Sequence, residues 1–202
     1  MGHRFAELAF TDNVRALQAA DGSRNSYLRM EEGPDVNDRL GERETDFIVA
    51  RDSFYMATAG ETGWPYVQHR GGPPGFLSVL DDRTLAFPDF RGNRQFISAG
   101  NLRHDDRVSL ILMDYPNRQR LKLLGRAGVS DDPAVLEKLA LPDYRARIER
   151  AFVIRLEAFD WNCPQHIAPR YTDTELEALA APLRERIAVL EAQLAAPREN
   201  RS

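Results

Sequence analysis

The residues with the most chemistry in this chain are Arg91-Gly92-Asn93-Arg94. They follow the apolar run Thr84 to Phe87 and precede Phe96 and Ile97, so the pattern puts them at a strand-to-helix junction, with a helix over roughly 93–102 that buries Phe96 and Ile97. Two guanidiniums, a glycine and an asparagine at such a junction bring cationic forks and free backbone N–H groups around one point. That is how a protein holds a phosphate. Cations at a helix N-terminus oppose the macrodipole, and a bound anion removes that conflict. A second candidate pair is Gln68 and Arg70, two residues apart on a strand and hence on one face, with Val67 and His69 on the other. Alternation does not say which of these faces points inward.

Other reactive side chains fit plainer roles. Cys163 is the single cysteine, which excludes an intramolecular disulfide and a cysteine-rich zinc site, and with no activating base nearby it reads as a small buried hydrophobe. Among the four histidines no His-x-x-x-His or His-Glu spacing suggests a metal. His166, beside Gln165 in the segment after the last strand, is better placed for a ligand than His69 or His104. Walker, G-x-S-x-G and dinucleotide fingerprints are all missing, so a nicotinamide could bind only transiently.

These residues need a scaffold, and the chain is long enough for one. Its 202 residues, 43% of them hydrophobic, supply one real core. A net charge of −4 gives no electrostatic footprint for nucleic acid or an anionic membrane. Lys122 and Lys138 are the only lysines, so a phosphate site here is built from arginines and backbone amides. The first ten residues carry no apolar leader and no run is long enough to span a bilayer, which points to a cytoplasmic protein.

Residues 1–45 read as a polar extension with a short helix capped at Thr11 and ended by Gly22; a second helix, over 45–51, leads into the body. The body, 46–171, is β-rich. Strands are expected over 54–58, 65–71, 76–80, 84–87, 107–114, 120–129 and 151–159, with a helix over 133–140. The 107–114 strand reads as buried on both faces, and Gly125 and Gly128 inside the next one mark bulges or close approach. From 172 to 202 the chain is an amphipathic helix and tail; Leu176, Leu179, Leu183, Ile187, Leu190 and Leu194 form a stripe that predicts packing on the barrel or across a dimer, with Pro182 able to bend it. The sum is a mainly β fold with added helices, a partly open barrel.

In this order, Pro65 to Gly72, Phe87 to Arg94, Gly100-Asn101-Leu102, Leu123 to Gly128 and Trp161 to Ile167 resemble the pyridoxamine 5′-phosphate oxidase-like family of FMN-binding split barrels, over about 54–170. The resemblance implies a homodimer with FMN at the subunit interface and an FMN-dependent oxidoreductase. It assigns Gln68 and Arg70 on the second strand, and Arg91, Asn93 and Arg94 at the phosphate junction, as cofactor-binding residues. It makes Trp161, Gln165 and His166 ring-side groups approaching from the partner. The chain departs from the oxidases at Gly71-Gly72-Pro73-Pro74, where a fuller basic motif would continue, and at Pro164-Gln165-His166, which replaces the usual ending. A substrate other than pyridoxamine 5′-phosphate is therefore expected. A non-catalytic flavin-binding or sensor protein, or the same barrel with deazaflavin or haem, are the alternatives.

Overall fold

The computed structural model describes residues 3–34, 36–141, 144–161 and 164–195. Cys163 lies outside them. The chain opens with three short helices, α1 (Arg4–Ala9), α2 (Asp12–Asp21) and α3 (Arg24–Glu31). Only α2 was legible, through Thr11, whose hydroxyl accepts from the Val14 N–H at 3.4 Å, and Gly22, which ends the helix at φ 81°. The other two lack a full apolar stripe. Helix α1 docks through buried Phe5 and Ala6, whereas α3 buries no residue and is tied by Arg24 to Glu31 at 2.9 Å. Helix α4 (Glu42–Val49) starts three residues earlier than expected, because the Glu44 carboxylate caps it by accepting from the Gly41 N–H at 3.1 Å.

The body is one antiparallel sheet: β1 (Ser53–Ala59), β2 (Pro65–Gly71), β3 (Ser78–Asp81), β4 (Thr84–Phe90), β5 (Arg107–Asp114), β6 (Gln119–Ser130) and β7 (Ile148–Trp161), in the order β2-β1-β5-β6-β7-β4-β3. Short helices α5 (Ile97–Asn101) and α6 (Pro133–Lys138) fill the connections. The sheet curls around Phe54, Phe87, Phe152, Met56, Leu110, Leu112, Leu121 and Leu123, with Phe87 and Phe152 stacked at 4.9 Å. It is not closed, since β2 and β3 remain edges. This is a split barrel.

Gly125 is where β6 must bend. The register against β7 shifts between Leu124 and Gly125, and a Cβ at 125 would stand 2.6 Å from the Arg155 carbonyl oxygen. Strand β5 departs from expectation. Val108, Leu110 and Leu112 are buried, but Ser109 is exposed and Ile111 and Met113 are only half-buried, because the sheet has one inner face here and nothing packed outside it. Helix α7 (Asp173–Ala195) runs through Pro182 as one element and buries none of its residues. Its leucine stripe stays exposed, so the expected packing on the barrel is not seen.

Candidate functional site

Strand β2 alternates exposed and half-buried residues, and the inward set is Tyr66, Gln68 and Arg70. This settles the face that alternation left open. On that side β2 has no hydrogen-bonded neighbour strand, and side chains bridge the gap instead. The Ser98 hydroxyl donates to Gln68 Oε1 at 2.8 Å, and Arg70 Nη1 donates to Asp89 Oδ1 at 3.1 Å. Between these bridges lies a cleft of about 80 Å³, walled by β2, the end of β4, the 92–99 segment and the start of β7.

The cleft is lined by cations and rings. Arg70 is largely buried, 4.7 Å over the Phe152 ring and 5.4 Å from that of Phe87. Burial pulls its guanidinium below the ordinary value, with Asp89 opposing. Its Nε is buried with no hydrogen-bond partner. Asp89 also accepts from Arg150 Nε at 2.7 Å, and Arg150 lies 4.7 Å over the Phe96 ring. Arg94, exposed at the mouth, has no carboxylate within ion-pair distance among the described residues.

The junction itself differs from its expected form. Helix α5 begins only at Ile97 and is five residues long, so no helix dipole bears on Arg91 or Arg94. Residues 91–96 are loop, and Phe96 is 44% exposed rather than buried. Arg94 and Phe96 both have positive φ, 62° and 54°. Such non-glycine conformations cost roughly 1–3 kcal/mol each and persist where surroundings hold them. The loop earns that cost by turning Arg94 and Phe96 toward one cleft. Asn93 also lines it, its Oδ1 accepting from the Gln95 N–H at 3.2 Å.

Of the eight residues singled out in the sequence, Gln68, Arg70, Asn93 and Arg94 meet at this cleft. Arg91 stands just outside, facing Glu149 at 3.7 Å. Trp161 is elsewhere in the chain: its Nε1 donates to Glu44 Oε1 at 2.8 Å and its ring meets Phe47 edge-on. Gln165 and His166 are exposed and line no part of the cleft. Sequence reading missed Asp89, Arg150 and Phe96. Asp89 sat two residues before Arg91 in the stretch that carried the resemblance, but only the fold reveals its pairing with Arg70 and Arg150. Among the described residues no cluster could hold a metal ion, and no helix is long and apolar enough to cross a membrane.

The sequence profile described as pyridoxamine 5′-phosphate oxidase matches residues 40–169, well over half of the chain. The chain belongs to the pyridoxamine 5′-phosphate oxidase family. The fold is similar to that of HupZ from group A Streptococcus, at 14% identity and a TM-score of 0.51, covering 65% of this chain and all of that one. A Clostridium acetobutylicum protein related to general stress protein 26 is similar at 16% identity and a TM-score of 0.45, covering 59% and 85% of the two chains. An FAD-binding protein from Mycobacterium smegmatis is similar at 15% identity and a TM-score of 0.43, covering 61% and 95%. No curated protein matches the sequence. Family membership accounts for the open barrel.

Proposed function

We propose that the cleft in the split barrel holds the phosphate of FMN and that the protein is an FMN-dependent oxidoreductase acting on a substrate other than pyridoxamine 5′-phosphate. The observation that carries this is the meeting, at one small cleft, of Arg70, whose buried Nε has no partner, and Arg94, which has no ion-pair partner among the described residues. A phosphate oxygen is an acceptor for a guanidinium, and charge-assisted bonds to it are among the stronger ones available. Gln68, Asn93 and Ser98 add neutral polar groups around the same space.

Its size also supports a homodimer. About 80 Å³ takes a phosphate group but falls well short of the roughly 300 Å³ typical of a small-molecule pocket. A second cleft of about 370 Å³ shares Ala99 and Arg150 with it, and a second copy of the chain supplies the outer wall that a flavin there needs. Val67, 60% exposed, and Tyr55 form an uncovered apolar face on β1 and β2, with Trp64 beside it on the hairpin. In this reading the exposed Gln165 and His166 belong to the neighbouring copy's site, while Trp161 serves the α4 corner of its own chain.

When bound, the flavin supplies hydride and electron transfer. This chain's residues then anchor, orient and shield. The two acids of the cleft, Asp89 and Glu149, each face an arginine, so neither is positioned as a free proton carrier. The visible spectrum of the purified protein, recorded with FMN and then NADPH, tests the reading. A bound-flavin spectrum that bleaches supports a reductase. A bound spectrum that persists with every donor leaves a flavin-binding protein, and failure to take up FMN removes the proposal in favour of deazaflavin or haem.

A further inference from the structure

Asp89 is an odd residue to find in an anion site. It stands near the end of β4 with its side chain mostly buried, and its two oxygens serve arginines from two other strands, Oδ1 from Arg70 on β2 and Oδ2 from Arg150 on β7. A buried carboxylate repels any phosphate placed beside it. It also draws two guanidiniums away from that phosphate. Glu149 does the same to Arg91, more loosely, at 3.7 Å. Arg70, Arg94 and Arg150 line the cleft with these two carboxylates, leaving one positive charge, and Arg91 just outside raises the local count to two. That count matches a phosphomonoester, which carries about −1.5 to −2 at neutral pH.

We propose that Asp89 is a specificity-determining residue: by engaging Arg70 and Arg150 together it limits the cleft's charge to that of a monophosphate and turns away diphosphates. The proposal deepens the phosphate reading above and rests on it. A purely structural part for Asp89, clasping β2, β4 and β7, makes a different forecast. Loosening a clasp weakens every anion alike, whereas lifting a charge limit changes the order of preference.

The test is calorimetric titration of the full-length protein with inorganic phosphate and with pyrophosphate, at one pH and ionic strength. The wild type binds phosphate at least as tightly as pyrophosphate. Asp89→Asn, which keeps the shape and removes the charge, tightens pyrophosphate by about tenfold, the scale of one unit charge in a half-buried, salt-screened site, and phosphate by less. Arg150→Gln moves the ratio the other way, and this variant decides the matter if Asp89→Asn does not fold. An unchanged ratio in folded variants, or equal weakening of both anions, overturns the proposal. An FMN titration separates the two readings. Anion selectivity that shifts as stated in a protein that takes up no FMN removes the flavin alone, and FMN binding with an unmoved ratio removes the role of Asp89 alone. If neither anion binds, the role of Asp89 falls, and FMN uptake alone decides the flavin reading.

Discussion

Two corners of this barrel are assembled from the same parts, an arginine over a ring and a carboxylate holding polar groups, yet only one leaves a cleft. At the α4 corner Arg51 lies 4.7 Å over Phe47, donates from Nε to the Phe47 carbonyl and from Nη1 to that of Met113, and pairs with Asp114 at 3.2 Å. Asp114 in turn accepts from the backbone and side chain of Asn117. Glu44 divides its oxygens between Gly41 and Trp161, and Arg43 covers the Trp161 ring at 4.2 Å. The donors of Arg51 and Trp161 are met within the chain. At the split, Arg70 keeps a buried Nε without a partner, and Arg94 lines the mouth of the cleft with no carboxylate in ion-pair distance among the described residues. Identical chemistry becomes structural when saturated and ligand-seeking when left short. The contrast teaches that residue type alone does not mark a site; unmet donors gathered at a cleft do.

The sharpest way to break that comparison is Trp161→Ala. If the α4 corner is structural, the change costs about 3 kcal/mol of stability by removing a packed ring and orphaning the Glu44 carboxylate, read as a lower midpoint in denaturant. FMN affinity of the folded fraction then changes little. A large affinity loss instead would place Trp161 at a neighbouring copy's flavin. The next effect belongs to the cleft. Arg94→Ala weakens FMN by about 1.5–3 kcal/mol with no loss of stability, while Arg91→Ala, already facing Glu149, costs less than about 1 kcal/mol. Equal losses from the two, in flavin fluorescence titrations, would put the phosphate nearer the 91–94 loop as a whole than the cleft. The smallest effect lies in the N-terminal segment. Burial holds His3 below the ordinary histidine value, with Asp160 opposing. Its folded value is depressed, so its contribution is full above the unfolded pKa and is lost as pH falls through it. Mild acidification below about 6.5 therefore loosens the N-terminal segment, and His3→Gln flattens that dependence, read by thermal unfolding at several pH values.

Much of this was legible in the chain. Strands announce themselves through alternation, and the Phe87 to Arg94 stretch carried both the fold and half of the cleft. The misreadings have physical causes. A helix over 93–102 was expected because Phe96 and Ile97 look like an apolar face, but a positive φ at Arg94 and Phe96 delays the helix and exposes the ring. Only coordinates show such a backbone choice when no glycine advertises it. Asp89 and Arg150 are separated by 61 positions and meet through the pairing of β4 with β7. The leucine stripe of α7 was read correctly as apolar, but its partner could not be read from its own periodicity.

One consequence follows from how the barrel is split. Strand β2 is laddered to β1 alone, and its other border is held by the Gln68–Ser98 and Arg70–Asp89 contacts. The wall of the cleft is thus fastened like a hinged door, with a continuous row of backbone bonds along one side and two latches along the other. A bound phosphate beside Arg70 would act as a third latch, so occupancy and the rigidity of this strand are coupled by construction.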